Sequence, residues 1–220
     1  MSTFTKLTTL FFSIALLLAC NSGPEGEKAT TSDAEAVTEA TGDADVYTIQ
    51  EGSLVHWQGT KPTGAHDGLL TITSGTIKIQ GDKVLGGSFT IDMNSLVTTD
   101  PLGDSKADLE NHLKGEDFFD VAKFPKATFE ITSAKAVPGD NTATHMVKGN
   151  LTMKGETKNV EFKAIVGIKD GQLQATTPKF VIDRTEWNIK YGSQKFTDKV
   201  LDSAINDNIG LSISLKASKS

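Results

Sequence analysis

Residues 113–132 read LKGEDFFDVAKFPKATFEIT, and the character of the chain changes twice within them. Leu113 closes a helical pattern. Phe118 and Phe119 follow as neighbours, then Phe124. Pro125 ends any helix, because it lacks an N–H and fixes φ. From there Ala127, Phe129 and Ile131 alternate with Thr128, Glu130 and Thr132, the spacing of a strand with one apolar and one wet face. Four of the chain's eleven phenylalanines fall in this stretch, so it gathers apolar surface around either a filled core or a cavity.

The same period of two runs outward in both directions. Upstream, Leu85, Gly87, Phe89, Ile91 and Met93 alternate with Gly86, Ser88, Thr90 and Asp92. Before that come Tyr47 and Ile49, the short run Leu54 to Gln58, and Leu70 with Ile72. Ile77 and Ile79 take up the opposite parity, so a bulge or bend is expected at Ser74-Gly75. Gly81-Asp82 reads as a turn. A non-strand insert is expected from Asn94 to about Lys123. Asp104 or Ser105 would cap its helix, Leu109 and Leu113 would lie on the inner face, and Lys106 and Glu110 would pair outside. Downstream, Val147, Gly149, Leu151 and Met153 form a hairpin with Val160, Phe162, Ala164 and Val166 across a turn at Gly155 to Lys158. Asp170-Gly171 turns into Leu173 and Ala175. Phe180 and Ile182 lead to Asp183-Arg184, and Ile209, Leu211, Ile213 and Leu215 close the chain. About eight strands without a βαβ rhythm predict an all-β fold, an antiparallel eight-stranded barrel over 46–220 with a short helical insert. Such a barrel holds packed side chains or one small ligand, and periodicity does not choose between them.

The first 45 residues have a different composition. Lys6 precedes an apolar run, Leu7 to Leu18, too short for a membrane span and suited to the core of a signal peptide over 1–19. Leu17-Leu18-Ala19-Cys20 resembles a bacterial lipobox, in which the thiol is acylated and the chain is cut just before it. Cys20 is the only cysteine, so its acylation would leave no thiol for a disulfide, a metal or nucleophilic catalysis. Asn21 after it, where Asp is linked to inner-membrane retention, favours the outer membrane. Residues 20–45 read as a disordered acidic tether with Val37 as the one sizeable apolar residue. Its seven carboxylates against Lys28 give −6; with Lys6 at +1, Val46 to Ser220 carry −1 of the chain's −6. A nearly neutral folded part has no footprint for nucleic acid.

Phe89, Ile91, Met93, Phe129, Ile131, Leu151, Met153 and Phe162 share the inward parity and are the candidate cavity lining; the same residues would equally fill a dry core. Phe118 and Phe119 would either cover a mouth of the barrel or dock the insert. His56, His66, His112 and His145 lack the spacing of a metal site, though His56 and His66 could converge across a loop. No nucleotide-binding glycine motif and no nucleophile elbow occur, so neither a cofactor nor nucleophilic catalysis is expected. Asp92, Asp183 and Glu186 remain possible acid–base partners. Asp183-Arg184 reads as a strand-end ion pair or backbone clamp; for an anionic headgroup, Arg184 and Lys61 are the cations to consider.

Several segments together resemble the YceI-like family of secreted bacterial proteins. They are His56-Trp57-x-Gly59-x-Lys61-Pro62-x-Gly64-x-His66-x-Gly68, Gly87-x-Phe89-x-Ile91-Asp92-Met93, the stretch from Leu113 to Phe129, Val147 to Gly155, and Ile182-Asp183-Arg184 followed by Trp187. The resemblance implies a lipocalin-like barrel that binds a long apolar molecule, an isoprenoid or a fatty amide or acid. Trp187 stands where the family often has Phe, and Asn206-Asp207-Asn208 replaces a more acidic run. The expectation is an envelope lipoprotein that sequesters or carries such a ligand. It would be a monomer or homodimer on the periplasmic face, held to the membrane through Cys20. An enzyme acting on the ligand, or an interaction module with a filled barrel, are the alternatives.

Overall fold

The computed structural model describes residues 23–37, 43–197 and 204–220. The expected signal peptide over 1–19, Cys20, and residues 21–22 and 38–42 of the expected tether lie outside the described residues. Twelve strands form one sheet whose ladder closes on itself. In chain order they are β1 (Glu27–Lys28), β2 (Thr30–Asp33), β3 (Asp45–Ile49), β4 (Leu54–Lys61), β5 (Gly64–Gln80) and β6 (Lys83–Thr98). After helix α1 (Ser105–Lys114) come β7 (Lys126–Ala136), β8 (His145–Met153), β9 (Glu156–Lys169), β10 (Gln172–Thr176), β11 (Phe180–Asp183) and β12 (Asn208–Lys219).

The ring has eight positions, because two of them are interrupted strands. β3 and β4 both lie between β5 and β12, and β10 and β11 pair successive parts of β12. Period-two alternation turns Phe89, Ile91 and Met93 of β6, and Ala127, Phe129 and Ile131 of β7, into one buried interior. The barrel expectation therefore holds, and closure leaves its ring without a free edge.

Local punctuation follows the backbone chemistry. The β5–β6 ladder shifts register between Ile72 and Ser74, beside Gly75 at φ 149°, so the expected bend is a bulge inside one long strand. Asp170 and Gly171 both take positive φ in a two-residue hairpin turn, as expected. The β8–β9 turn sits at Lys154-Gly155 (φ 50° and 81°), one residue before the expected position, and Glu156 already belongs to β9. β6 runs to Thr98, so the insert begins later than Asn94. Asp104 precedes α1 without a side-chain capping bond. Glu110, expected on the outside, instead accepts the Thr98 N–H (2.8 Å) and ties the helix to the end of β6; Lys106 lies 3.9 Å from it.

The largest departure is at the acidic segment. Residues 27–28 and 30–33 are strand, although composition predicted disorder. β1 pairs parallel with β11 and β2 antiparallel with β9, so the segment is a strap in the wall between those two strands. Main-chain bonds hold it, among them Ala29 N–H to Val181 O (2.9 Å). Its carboxylates meet lysines: Asp33 with Lys158 (2.9 Å), Glu27 with Lys163 (3.5 Å) and Glu25 with Lys179 (3.0 Å). A segment with almost no apolar side chains thus joins the sheet through its backbone, a route that hydrophobic composition does not report.

Candidate functional site

The barrel interior is not completely filled. A cavity of about 300 Å³ lies at the end where α1 and the elbow after it meet the strands. Ile91 and Met93 of β6, Ala127 of β7, Leu151 and Met153 of β8, and Ile182 of β11 line its walls, with Ile209 and Leu211 of β12 and Val55 and Leu70 opposite. Leu109, Leu113, Phe118 and Phe119 cover it from the insert. The Phe118 ring meets Phe119 edge-on at 5.1 Å, so the pair both docks the helix and closes the cavity.

Deeper in the barrel, four phenylalanines from four strands stand in a row. Ring centroids lie 5.2 Å apart for Phe89 and Phe129, 5.4 Å for Phe129 and Phe162, and 4.5 Å for Phe162 and Phe180. Phe89, Phe129 and Phe162, with Ile77, Ile131, Val147 and Ile213 among others, line a second space of about 50 Å³. No residue lines both spaces. The eight expected lining residues therefore divide. Ile91, Met93, Leu151 and Met153 face the main cavity, while Phe89, Phe129, Ile131 and Phe162 belong to the floor and the space beneath it.

Polar groups gather at the opposite end of the main cavity. Thr60, Lys61, His66, His112 and the half-exposed Tyr191 also line it, as does Trp57. His66 Nδ1 donates to Asp100 Oδ2 (2.8 Å), which fixes the ring, and Asp100 also accepts the Asp67 N–H (3.3 Å). Trp57 lies flat over Gly68: a Cβ on that glycine would fall 2.3 Å from Trp57 Cζ2. The Trp57 indole N–H and the Thr60 hydroxyl are buried without a hydrogen-bond partner in the protein, while His112 Nε2 lies 3.4 Å from Asp117 Oδ2. Buried polar atoms usually find a partner, so the Trp57 and Thr60 groups mark the polar end of the cavity. Among the described residues no carboxylate, serine or cysteine lines it.

Arg184 is not in that lining. It is fully buried beneath the cavity cover and donates to three carbonyls: Ile189 (2.7 Å), Asn206 (3.1 Å) and Ile205 (3.1 Å). Burial pushes its guanidinium below the usual arginine range, against the pull of Asp207 and Asp183. Its charge is spent on holding the loop after β11, with Phe118 5.4 Å away; of the two roles considered for it, this is the backbone clamp and not a contact to the cavity. Lys61, the other expected cation, does line the cavity. The remaining expectations sort themselves by position. His56 is exposed, opposite Leu69, and does not approach His66. Asp92, Asp183 and Glu186 lie outside the lining, and no cluster of metal-ligating residues forms among the described residues.

Lys154 supports the cover from the β8–β9 turn. Its ammonium donates to the carbonyls of Glu116 and Phe118. Burial lowers its pKa, while Asp120, Asp117 and Glu116 pull the other way.

A family model described as a YceI-like domain matches residues 47–217, which is the whole barrel from β3 to β12. The chain belongs to the YceI-like family. A UPF0312 protein of Yersinia pestis is 38% identical over 86 residues, covering 36% of this chain and 43% of that one. The chain thus spans less than half the length of the curated relatives it matches. Among solved structures, Burkholderia cenocepacia BcnA superposes with a TM-score of 0.61 at 23% identity, over 77% of this chain and 99% of that one. A polyisoprenoid-binding domain from Saccharophagus degradans superposes with 0.55 at 13% identity, over 81% and 100%. At those identities the likeness is one of fold. The YceI-like segments now have physical roles: Gly68 makes room for Trp57, His66 is fixed by Asp100, and Lys154 clasps the Phe118 elbow. Trp57, Ala127, Ile182, Leu211 and the helix residues were missed as lining. All but the helix residues share the inward parity, which was the signal available.

Proposed function

We propose that the barrel holds the apolar chain of an amphiphile, an isoprenoid or a fatty amide or acid, and sequesters or carries it. One observation carries this reading: an apolar cavity of about 300 Å³ with its polar groups confined to one end. That is the layout of a small-ligand site, and the volume is at the lower end of the usual range. Lys61, His66 and the Trp57 N–H would receive the polar head; Ile91, Met93, Leu151 and Met153 would receive the chain. The methionines suit an irregular chain, being unbranched and flexible. The description of the Saccharophagus degradans relative as polyisoprenoid-binding supports the same ligand class. Among the described residues no serine, cysteine or carboxylate lines the cavity, and its largely apolar lining fits binding better than catalysis.

The proposal includes an envelope location, with Cys20 acylated and the barrel on the periplasmic side, more readily at the outer than the inner membrane. Pro24 packs on Gly210 of the wall, so four residues would join the acyl group to the barrel, at most about 14 Å of extended chain. Native mass spectrometry of protein purified from a bacterial envelope tests the reading. A co-purifying mass that organic extraction removes is expected. A ligand-free protein that also fails to take up decanoic acid would refute it.

A further inference from the structure

We infer that Phe129, in the middle of the phenylalanine row, sets the length of the chain that the cavity accepts. The inference rests on the binding reading above and specifies its ligand. The row separates two spaces that share no lining residue, and the change falls between consecutive inward positions on β6 (Ile91 and Phe89) and on β7 (Ala127 and Phe129). A chain that filled the main cavity down to Ile91 and Ala127 would meet these rings next.

The floor is held in place from both sides. A Cβ on Gly149 would fall 2.2 Å from Phe129 Cζ, and one on Gly75 would fall 2.6 Å from Phe89 Cα. Phe129 is therefore seated in a slot on β8 and stacked on Phe89, with Phe162 on its other side. Rings confined this way do not swing aside at low cost, because interiors are close-packed. The length then follows from volume. A methylene occupies nearly a water's share of liquid, about 30 Å³. A cavity of about 300 Å³ holds on the order of ten such groups. Longer molecules would leave the remainder at the mouth.

Straight-chain saturated fatty acids of roughly six to sixteen carbons, titrated into delipidated protein, test the inference. Affinity should rise about fourfold with each added methylene. The rise should stop near ten carbons, where the volume is used up. In Phe129→Ala the floor opens, and the lower space of about 50 Å³ alone should move the break outward by about two carbons. In Ala127→Leu, which fills the cavity from the same strand, the break should move inward. A steady rise through sixteen carbons in the wild type would overturn the floor and leave the binding reading intact, as would a break that stays put in folded Phe129→Ala. Failure to bind at any length would overturn the binding reading itself. Circular dichroism reports whether each variant folds, and the wild-type break decides if neither does.

Discussion

Phe129 occupies the space that a side chain on Gly149 would need, with its Cζ 2.2 Å from where that Cβ would lie. The two residues belong to adjacent strands, β7 and β8, and the ring crosses the ladder beside the Ile131–Gly149 pair. The glycine is thus required by a neighbour's ring and not by its own backbone angles. Gly149→Ala should cost about 1–3 kcal/mol, as overpacking a filled site does. The midpoint of urea unfolding measures this, and an unchanged midpoint would mean that the ring is free to move.

Arg184 makes a second demand on the fold. Its removal strands the carbonyl of buried Ile189 and those of half-buried Ile205 and Asn206. Unsatisfied buried groups cost about 1–3 kcal/mol each, and some of the loop will rearrange to reach water. Arg184→Met should therefore lose at least about 3 kcal/mol of stability. Arg184→Lys should recover little, since one ammonium cannot reproduce a planar fork. Protein of either variant that remains folded should bind decanoic acid as the wild type does. A large loss of affinity with unchanged stability would restore Arg184 as a ligand contact.

The Asp183–Lys195 pair gives the stability curve a defined acid limb. Burial pushes the Asp183 carboxyl up, but hydrogen bonds from Lys195 and from the Thr185 hydroxyl and N–H outweigh it and hold the pKa below the usual range. A depressed carboxyl stabilises the fold above its unfolded value, near 4, and that contribution disappears as pH falls through the folded value. Lys195 is raised chiefly by its bond to the same carboxylate, so it adds no separate acid limb; on the alkaline side the pair's contribution is lost as pH rises through the raised lysine value. Wild-type unfolding midpoints should drop below about pH 4 more steeply than those of Asp183→Asn, and the two curves should converge in strong acid. Parallel curves from pH 7 to pH 2 would show that the pair does not favour the folded state.

How much of this was legible in the sequence depended on the kind of force involved. The inward direction of Phe129, Ile131 and Met93 was legible, because a strand's period of two is local. The division of those residues between a cavity and its floor was not, because their depth is set by register between strands far apart in sequence. His66 and Asp100 pair across 34 residues, and neither position carries a local pattern that announces the other. The strap was missed for a different reason. Composition correctly indicated a segment unable to bury a core, but Thr30–Asp33 join β9 through main-chain groups that every residue possesses. Arg184 was ambiguous because a clamp and a headgroup ligand need the same guanidinium.

The strap makes its own prediction. A chain starting at residue 38 would lack β1 and β2 and leave the facing parts of β9 and β11 without partners. Asn150 would also lose Glu35, whose N–H and carbonyl it binds at 3.0 and 2.8 Å. Amide exchange at 158–161 and 180–182 should accelerate at least about tenfold relative to the longer chain, about 1.4 kcal/mol of local protection. Strands β5 and β6, on a different part of the ring, should exchange as before. Equal protection in both proteins would mean that the wall is complete without the strap.

The two tryptophans separate occupancy of the cavity from changes elsewhere. Trp57 lines the cavity, with its indole N–H lacking a protein acceptor. Trp187 is fully buried outside the lining, and its indole N–H already donates to Leu151 O (3.0 Å). An entering amphiphile with an acceptor in its head would change the polarity around Trp57 and offer its indole a partner, while Trp187 keeps the bond it has. Adding decanoic acid should therefore shift tryptophan emission in the wild type, and the shift should vanish in Trp57→Phe while calorimetry still detects binding. That variant should bind more weakly, by about 0.5–1.5 kcal/mol, if the indole N–H makes a hydrogen bond of ordinary strength. A shift that survives in Trp57→Phe would place the bound molecule near Trp187, outside the cavity described above.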